Sequence, residues 1–481
     1  MQTTQGNGDR VDIVAATGTR HVKTLLILGA SGDLTGRLLL PGLAGLIGTG
    51  RVPGLVLAGA DAADSGGQAW RDRVQKTFGE ARDAANDAGR RDLDEVAAGT
   101  TYRAGDVTQP GVLGRMLAEL EGPAAVYFAL PPAVTEAACE VLAPEEVPEG
   151  TTLVLEKPFG TSRQTARALN RTLARLVPEP NIHRIDHFLG KATVLNLLGL
   201  RFANRLLEPL FVSEHVAKVE IVYDEELALE GRAGYYDRAG ALRDMIQSHL
   251  LHVLAFLAMD APASLGERDL RDSIAATLEV ASVPEDFARS ARRARYTEGS
   301  SQGRPVPDYA AEAGVDASRG TETLAQVEVR IDNPRWAGVP FILRSGKALG
   351  RRRKEAVVTF RPAGHLPAGF RGRDSPTRLR IGFGPDTLVL ELDVNGPGDP
   401  YTLDRVDLRA DLNSPDLLPY GEVLLGVLTG DPTLSVRADT AEDCWRIVEP
   451  VMAAWAAGEV PLEEYPAGSG GPAGWAAPPL T

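Results

Sequence analysis

The first part of the chain alternates short, continuous apolar runs with longer stretches of helical periodicity. Helical patterns such as Arg37–Ile47 and Trp70–Val96 separate the apolar runs. Strands that alternate with helices predict a parallel sheet whose ligands bind at the carboxyl ends of its strands. We therefore predict an α/β, Rossmann-like dinucleotide-binding domain over residues 23–186. The apolar runs, each taken as a buried strand, are Lys23–Gly29, Leu55–Gly59, Ala125–Leu130 and Thr152–Leu155.

The pattern changes after Asp186. Two helical segments, Ala192–Leu207 and Leu242–Met259, lie among short runs in which apolar and polar positions alternate. Such alternation is typical of strands with one solvated face, so it predicts a large, mainly antiparallel sheet backed by helices. We predict a second domain of α+β type over residues 187–465. The alternating runs are Ala217–Tyr223, Thr323–Ile331, Phe341–Arg344, Ala356–Phe360, Thr377–Phe383 and Thr387–Val394.

Four segments remain to be assigned: two tails, one long connection and one helix. Residues 1–22 and 466–481 are rich in small or turn-forming residues and are predicted to be flexible tails. Glu285–Gly320 is charged and rich in Gly and Ser, so we expect a long surface excursion there. Ala441–Gly458 has the period of a final amphipathic helix.

Composition narrows the classes of partner. The 481 residues, 43% of them apolar, suffice for two or three domains, and a net charge of −14 argues against nucleic acid and anionic membranes. Cys139 and Cys444 have no metal or redox spacing and suit a reducing compartment. The first twenty residues lack a signal peptide, and the longest apolar run, Leu250–Met259, is too short to span a bilayer. We predict a cytoplasmic protein without a metal.

A glycine turn follows the first predicted strand and precedes a helix. In such a turn the backbone N–H groups and the helix N-terminus hold a dinucleotide pyrophosphate. Taken alone, the turn is about as well explained as a tight βα connection. Its place after the first strand of an alternating pattern favours cofactor binding. The predicted contact residues are Gly29, Ala30, Ser31, Gly32, Asp33 and Leu34.

Two further stretches concentrate chemistry. Arg184–Lys191 brings Asp186, His187 and Lys191 into six positions, which suits an anion site beside a proton acceptor, although an isolated stretch of this kind is more often a capped helix start. Downstream, Asp244 and His249 lie five positions apart in the first half of another helical segment. A His of near-neutral pKa is a suitable general base, although this one also fits as a hydrogen-bonded neighbour of an apolar stripe.

Together these stretches resemble the glucose-6-phosphate dehydrogenase family, whose motifs are GxxGDL, EKPFG, RIDHYLGK, GALRDMxQxHLLQ and R-x-GK. The resemblance runs from about Lys23 to Gly471 and implies oxidation of glucose 6-phosphate to 6-phosphogluconolactone with NADP or NAD. It also implies a homodimer or homotetramer paired through the antiparallel sheet. The matching segments, in the same order, are Gly29–Leu34, Glu156–Gly160, Arg184–Lys191, Gly240–Leu251 and Arg344–Lys347.

The resemblance also assigns roles to single residues. It makes His249 the base, supported by Asp186, and puts His187 and Lys191 on the substrate phosphate. A cis Lys157–Pro158 bond would turn Lys157 into the cleft, where it would touch both sugar and cofactor. Glu225 and Asp244 would accept hydrogen bonds from sugar hydroxyls, although either also fits a surface charge. Further residues expected at the pocket or at the cofactor edge are Lys347, Arg352 and Tyr127, with Arg352 equally explained by a solvated basic run.

Four departures from the family pattern keep alternatives open. Leu38 replaces a Lys, Phe188 a Tyr and Ala192 a Glu, which leaves room for a dehydrogenase of another anionic or unphosphorylated aldose. Where the pattern has G-x-A-R, this chain has Asp61 followed by Ala62. An acid there suits a ribose hydroxyl and repels a 2′-phosphate, although Asp61 is explained about as well as a solvated loop acid. NAD therefore stays open beside NADP. A non-catalytic regulatory paralogue is disfavoured because the candidate base and its carboxylate are both present.

Overall fold

The apolar runs of the first domain form one twisted sheet. In the computed structural model, which describes residues 22–63, 66–372, 375–412 and 416–475, six of its strands are parallel. The strands are β1 Thr24–Leu28, β2 Val56–Asp61, β3 Thr101–Ala104, β4 Ala124–Phe128, β5 Thr152–Glu156, β6 Ile182–Ile185 and β18 Ser435–Val436. The six parallel strands lie in the order β3-β2-β1-β4-β5-β6, and the short strand β18 pairs with β6 in the antiparallel direction.

Helices cover both faces of this sheet, as the buried runs require. A π-helical turn over Thr35–Leu39 leads into the first of them. Strand order reverses at β1, which pairs with β2 on one side and β4 on the other, and this is where doubly wound sheets bind ligands. The helices are α1 Leu40–Gly48, α2 Gly67–Ala81, α3 Asp87–Gly99, α4 Val112–Ala118, α5 Pro132–Val141 and α6 Arg163–Leu176.

The second domain is built on a ten-stranded sheet, confirming the predicted α+β architecture. Its strands are β7 Val216–Asp224, β8 Ala281–Ser282, β9 Ala291–Thr297, β12 Leu324–Ile331, β13 Phe341–Gly346, β14 Arg353–Phe360, β15 Arg378–Phe383, β16 Asp386–Asn395, β17 Leu403–Asp411 and β19 Leu462–Pro466; β10 Gly299–Ser301 and β11 Arg304–Val306 form a separate hairpin. The order in the sheet is β17-β16-β15-β14-β7-β13-β12-β9-β19, and β8 pairs with β12. Among the described strands of this sheet, only the β7–β13 and β9–β19 pairs are parallel.

Helices of the second half pack against this sheet and against the first domain. The segment predicted as one helix from Leu242 divides into a π-helical part, Leu242–Leu250, and an α-helical part. The α-helices are α7 Ala192–Phe202, α8 Ala233–Ala241, α9 Leu251–Ala258, α10 Glu267–Glu279, α11 Phe287–Ser290, α12 Pro419–Thr429 and α13 Ala438–Ala456. No helix in the described part of the chain is long and apolar enough to cross a membrane.

Three segments differ from the sequence predictions. The expected surface excursion contains β9, whose Ala294 and Tyr296 are fully buried, because its Arg residues alternate outward and mask the apolar face. The predicted tail from residue 466 is packed structure up to Trp475, whose indole donates to Glu463 Oε1 at 2.8 Å. Helix α12 and β18 return to the first domain, where Tyr420 packs in its core. Residues 1–21 and 476–481 of the predicted tails lie outside the described residues.

Candidate active site

The glycine turn lies at the carboxyl end of β1, as predicted. Gly29 has φ +89°, and a Cβ there would lie 2.3 Å from the Ala129 carbonyl oxygen. The close approach of these two backbone segments therefore requires glycine at position 29. The buried Thr35 hydroxyl donates to the Gly29 carbonyl at 2.8 Å and fixes the turn. Ser31 and Asp33 are exposed at its rim. A compact turn whose rim is exposed to solvent fits a dinucleotide pyrophosphate.

Asp61 ends β2 and faces this turn. Its Oδ2 accepts a hydrogen bond from the Ser31 backbone N–H at 2.8 Å. Arg73, from α2, is the cation nearest the turn in these contacts, and its Nη1 donates to the Ala30 and Gly32 carbonyls at 3.2 and 3.0 Å. Leu38 is 46% exposed and offers no charge. The carboxylate is therefore held against the glycine turn, and its predicted contact with the cofactor ribose stays a prediction.

Glu156 and Lys157 extend the same edge from the end of β5. The Tyr127 hydroxyl donates to Glu156 Oε1, and Tyr420 from α12 also lies on this carboxyl. Burial raises the pKa of Glu156 to about 7, against the opposing effect of both phenols. Tyr127 itself is fully buried in the sheet. Its hydroxyl is engaged by Glu156, and the predicted contact of Tyr127 with the cofactor stays a prediction.

Lys157 joins the two domains. The Lys157–Pro158 bond is cis, as the resemblance implies, and Nζ donates to the Asp244 carbonyl at 2.5 Å and to Asp244 Oδ1 at 3.2 Å. Tyr235 also donates to Asp244 Oδ1, at 3.1 Å. Although burial alone would raise it, the pKa of Asp244 falls to about 2 because the Lys157 ammonium stabilises the carboxylate. Asp244 is thus an ionised acceptor in the cleft.

His249 and Asp186 meet at the boundary between the domains. His249 Nδ1 lies 2.5 Å from Asp186 Oδ1, and both residues are almost fully buried. The Phe188 backbone N–H and the Ser248 hydroxyl also donate to Asp186, at 2.9 and 2.6 Å. Gly240, with φ +67°, lets the chain turn into the His249 helix; a Cβ there would lie 2.3 Å from Glu322 Oε1. The sequence prediction that these two side chains meet is confirmed.

The pair has a defined protonation state. Although burial opposes it, the adjacent His249 side chain holds the pKa of Asp186 well below its usual range. An ionised carboxylate only accepts, so Nδ1 of His249 carries the proton and Nε2 keeps its lone pair. Burial lowers the pKa of His249 to about 4, against the opposing effect of Asp186. The imidazole is therefore a neutral base at physiological pH.

His187 and Lys191 lie next to this base. The His187 ring is 4.8 Å from the His249 ring, edge to face, and stacks on Tyr420 at 5.6 Å. Burial, reinforced by the His249 side chain, lowers the pKa of His187 to about 3, so it is a neutral donor. Lys191 Nζ stands 3.6 Å from the centroid of the Phe188 ring. A neutral imidazole and an ammonium side by side suit an anion.

Three further charged groups complete the pocket. Glu225 Oε2 accepts from Lys347 at 2.8 Å and Glu225 Oε1 accepts from Lys354 at 3.2 Å. Although burial opposes it, these two ammonium groups lower the pKa of Glu225. Arg352 is exposed, and its guanidinium lies against Gly384, where a Cβ would be 3.2 Å from Nη2. From the basic run it is thus Lys354 that contacts Glu225, and the predicted place of Arg352 at the pocket stays a prediction.

The structure thus brings together most of the predicted site residues and adds others. Sequence reasoning missed Ser248, Tyr223 and Lys354, and the two tyrosines on Glu156 and Asp244, Tyr420 and Tyr235. Lys354 had one signal: it belongs to the basic run that precedes a predicted strand. Ser248 is adjacent to the predicted base. Tyr420 reaches Glu156 only through long-range packing, whereas Tyr235 is nine positions from Asp244 in the sequence.

Asp186, His187 and His249 are the one set of side chains in the described ranges with metal-ligand character. Their donor atoms all lie within 4.8 Å of one another. Both oxygens of Asp186 already accept hydrogen bonds from protein groups, and one of the donors is His249 itself. The chemistry of this set is accounted for by a base and its partner, and the prediction of a metal-free site stays a prediction.

A doubly wound sheet with a glycine turn, beside a cleft that holds a buried imidazole–carboxylate pair and several ammonium groups, defines a nicotinamide-dinucleotide-dependent oxidoreductase of an anionic substrate. Comparison with protein families agrees. Residues 26–196 match the glucose-6-phosphate dehydrogenase NAD binding domain, and residues 198–477 match the C-terminal domain of glucose-6-phosphate dehydrogenase. The chain belongs to the glucose-6-phosphate dehydrogenase family.

Individual relatives match over nearly their whole length. Glucose-6-phosphate 1-dehydrogenase of Gluconobacter oxydans (strain 621H) is 37% identical, covering 93% of this chain and 94% of the relative. That of Treponema pallidum (strain Nichols) is also 37% identical, covering 95% and 94%. The crystal structure of glucose-6-phosphate 1-dehydrogenase from Mycobacterium avium superposes with a TM-score of 0.81 at 30% identity, over 96% of this chain and 99% of that one. A glucose-6-phosphate dehydrogenase in complex with glucose-6-phosphate superposes with a TM-score of 0.83 at 28% identity, over 95% and 97%.

Proposed function

We propose that this protein oxidises the anomeric carbon of β-D-glucose 6-phosphate to 6-phosphoglucono-1,5-lactone, with NADP or NAD as hydride acceptor. The observation that carries the proposal is the His249–Asp186 pair, 2.5 Å apart. It lies between the edge that bears the glycine turn and a pocket of ammonium groups. A proton acceptor, a hydride-acceptor site and an anion site in one cleft are what this reaction needs.

The residues of this chain divide the reaction between them. When bound, the nicotinamide ring accepts the hydride that leaves the anomeric carbon. His249 accepts the hydroxyl proton at Nε2, and the Asp186 carboxylate stabilises the imidazolium that forms. Lys157 and Asp244, which are hydrogen-bonded across the domain boundary, orient the sugar beside the cofactor edge. Loss of one hydride and one proton turns the hemiacetal into the lactone, so the balance is complete.

The phosphate is held by His187 and Lys191. Both are desolvated, and a neutral imidazole N–H and an ammonium bind a dianion through short, charge-assisted hydrogen bonds. Glu225, paired with Lys347, accepts a sugar hydroxyl at the other side. Because Phe188 lacks the hydroxyl of the Tyr in the family pattern, a sugar sulfonate and unphosphorylated glucose are the alternative substrates. Steady-state values of kcat/KM for glucose 6-phosphate, the sulfonate and glucose distinguish these alternatives, and the proposal fails if glucose 6-phosphate is not preferred.

Replacing the base tests the chemistry. His249→Asn should lower kcat by about 10²- to 10⁴-fold and leave the dissociation constant of glucose 6-phosphate nearly unchanged, because the lost group acts on the reacting proton. His252→Gln is the matched control: His252 is also buried and its Nδ1 lies 3.6 Å from Asp186 Oδ2, but that nitrogen donates to the Ser248 carbonyl at 2.8 Å. If kcat survives in His249→Asn, or falls equally in His252→Gln, the base is misassigned.

We further propose that the protein is a cytoplasmic homodimer or homotetramer, paired through the ten-stranded sheet. The outer strands of that sheet carry exposed apolar side chains, among them Leu408 at 58% and Val394 at 39% exposure. Both cysteines are buried and unpaired, in keeping with a reducing compartment. Sedimentation of the purified protein tests the assembly: Leu408→Lys should shift it towards monomer. A monomeric wild-type protein contradicts this proposal.

A further inference from the structure

Tyr223 and Lys354 form a pair next to the anion site that the mechanism above does not use. Lys354 on β14 lies directly opposite Tyr223 on β7 in the sheet register, and its Nζ donates to the Tyr223 hydroxyl at 2.8 Å. The backbone of Tyr223 is fixed by its neighbours, since Ser345 on the other flanking strand donates to its carbonyl at 3.0 Å. The pair therefore has a defined position in the centre of the sheet.

Lys191, the predicted phosphate ligand, shares this aromatic ring. Its Nζ is 5.0 Å from the centroid of the Tyr223 ring, and Lys354 Nζ is 4.0 Å from the same centroid. Burial lowers the pKa of Lys191; the Tyr223 phenol opposes this effect through a hydrogen bond, and the charge of Lys354 makes a smaller lowering contribution. Two like charges at one ring repel each other, so the arrangement is stabilised when an anion binds between them.

Charge counting supports an anionic ligand. Lys347 and Lys354 share a single carboxylate, Glu225, and Lys157 is already paired with Asp244. Lys191 has no ion pair among the residues that the structure describes. The Lys347 and Lys354 side chains are only 17% and 12% exposed, so water does little to compensate for their charge. With the ionised Asp186 counted beside Lys191, one positive charge is left over in this partly buried region.

The phenol of Tyr223 has a proton to give. An ammonium group has donors only, so in its contact with Lys354 the Tyr223 oxygen acts as acceptor. Its own O–H is thus free to donate to a third group. The Tyr223 ring is 5.2 Å from the ring of Phe188, the position at which the family pattern carries its Tyr. The donor missing from one ring is present on the ring beside it.

We propose that Tyr223 and Lys354 belong to the substrate phosphate site of this protein: the Tyr223 hydroxyl replaces the phenol absent at Phe188, and Lys354 adds a second ammonium opposite Lys191. The inference rests on the proposed function, since it concerns the same phosphate. It makes both residues determinants of specificity for a dianionic sugar over a neutral one, acting on substrate affinity and not on the reacting carbon.

Two conservative variants test the proposal. Tyr223→Phe should raise KM for glucose 6-phosphate about tenfold, and Lys354→Met about 10- to 100-fold, since hydrogen bonds to charged groups are the stronger ones. In both, the ratio of kcat/KM for glucose 6-phosphate to that for glucose should fall by the same factor. The inhibition constant of inorganic phosphate, competitive with glucose 6-phosphate, should rise in parallel. Lys354→Arg should restore part of the loss.

Arg351→Met is the matched control, because it removes one positive charge from the same basic run at an exposed position. Its KM and phosphate inhibition constant should match those of the wild type. The inference is overturned if Tyr223→Phe and Lys354→Met, with thermal midpoints like that of the wild type, change neither constant more than Arg351→Met does. It is also overturned if both constants fail to rise while turnover falls. Failure of the proposed function is a different result: wild-type protein that does not oxidise glucose 6-phosphate.

Discussion

The Phe188 ring lies nearly flat against the imidazole of His249, with centroids 4.2 Å apart and planes 13° apart. Asp186 holds the same imidazole at Nδ1. The candidate base is thus fixed on one face and at one edge, which sets the direction in which Nε2 points. Orientation and tautomer depend on the carboxylate, since a stacked ring can still rotate in its own plane.

The first prediction follows from that dependence. Asp186→Asn should lower kcat by about 10²- to 10⁴-fold, because an amide can present a donor to Nδ1, favours the wrong tautomer and does not stabilise the imidazolium. Steady-state kinetics with glucose 6-phosphate measure it. Ser248→Ala, which removes only the hydrogen bond to Asp186 Oδ2, should cost far less. Equal losses in the two variants would mean that Asp186 serves the fold and not the base.

The second prediction concerns the acid side of the pH profile. The base must be unprotonated to act, and burial lowers the pKa of His249 to about 4, so protonation removes activity only well below the ordinary value of 6.5. We expect kcat/KM for glucose, whose neutral form does not titrate, to stay level from about pH 8 to about pH 6. With glucose 6-phosphate an extra limb near about pH 6 comes from the phosphate itself. An acid limb above pH 6.5 with glucose contradicts the assignment.

The third prediction uses the buried carboxyl of Glu156. Its pKa is raised from 4.5 to about 7, so the stability it contributes is fully present below pH 4.5 and is lost as pH rises through about 7. Glu156→Gln removes this loss. The melting temperature of the variant, relative to the wild type, should therefore rise between about pH 5 and about pH 8. Glu145→Gln, at an exposed position, should show no such trend. A constant difference for Glu156→Gln would show that Glu156 is ionised in the fold.

Most of the fold and the centre of the candidate site could be predicted from short-range patterns in the sequence. The glycine turn, Lys157, Asp186 and His249 each lie within a run of residues whose local structure is set by neighbours in the chain. The order of those runs, read with the family resemblance, placed them at one cleft. The contact between Asp186 and His249 was predicted in this way, although 63 positions separate the two residues.

What escaped prediction depends on pairing between distant strands and helices. Lys354 enters the pocket because β14 begins at Arg353 and pairs with β7 in a register that only the folded sheet sets. Tyr420 reaches Glu156 because α12 packs on α1, far away in sequence. In β9, arginines on the outer face hid the inward alternation of small and aromatic residues. None of these has a local signature strong enough to be read from the chain.

The last prediction concerns the choice of dinucleotide. Asp61 is held toward the glycine turn by the Ser31 N–H, 2.8 Å away, and the next residue is Ala62. A carboxylate accepts from a ribose 2′-hydroxyl and repels a 2′-phosphate, and Arg73 already donates to two carbonyls of the turn. We expect kcat/KM to be higher with NAD than with NADP. Initial rates with each dinucleotide measure the ratio.

A double replacement should reverse this preference. Asp61→Ser with Ala62→Arg removes the repulsion and supplies a guanidinium for the 2′-phosphate, so the ratio of kcat/KM for NADP to that for NAD should rise by about a hundredfold. Asp72→Ser, an exposed acid on α2 hydrogen-bonded to Gln68, is the control and should leave the ratio unchanged. If the wild type prefers NADP, Asp61 does not select against the 2′-phosphate, and Arg73, which lies on the Ala30 and Gly32 carbonyls, becomes the candidate that binds it. Loss of that preference in Arg73→Met would then assign the 2′-phosphate to Arg73, whereas under the present interpretation the variant acts only through the turn.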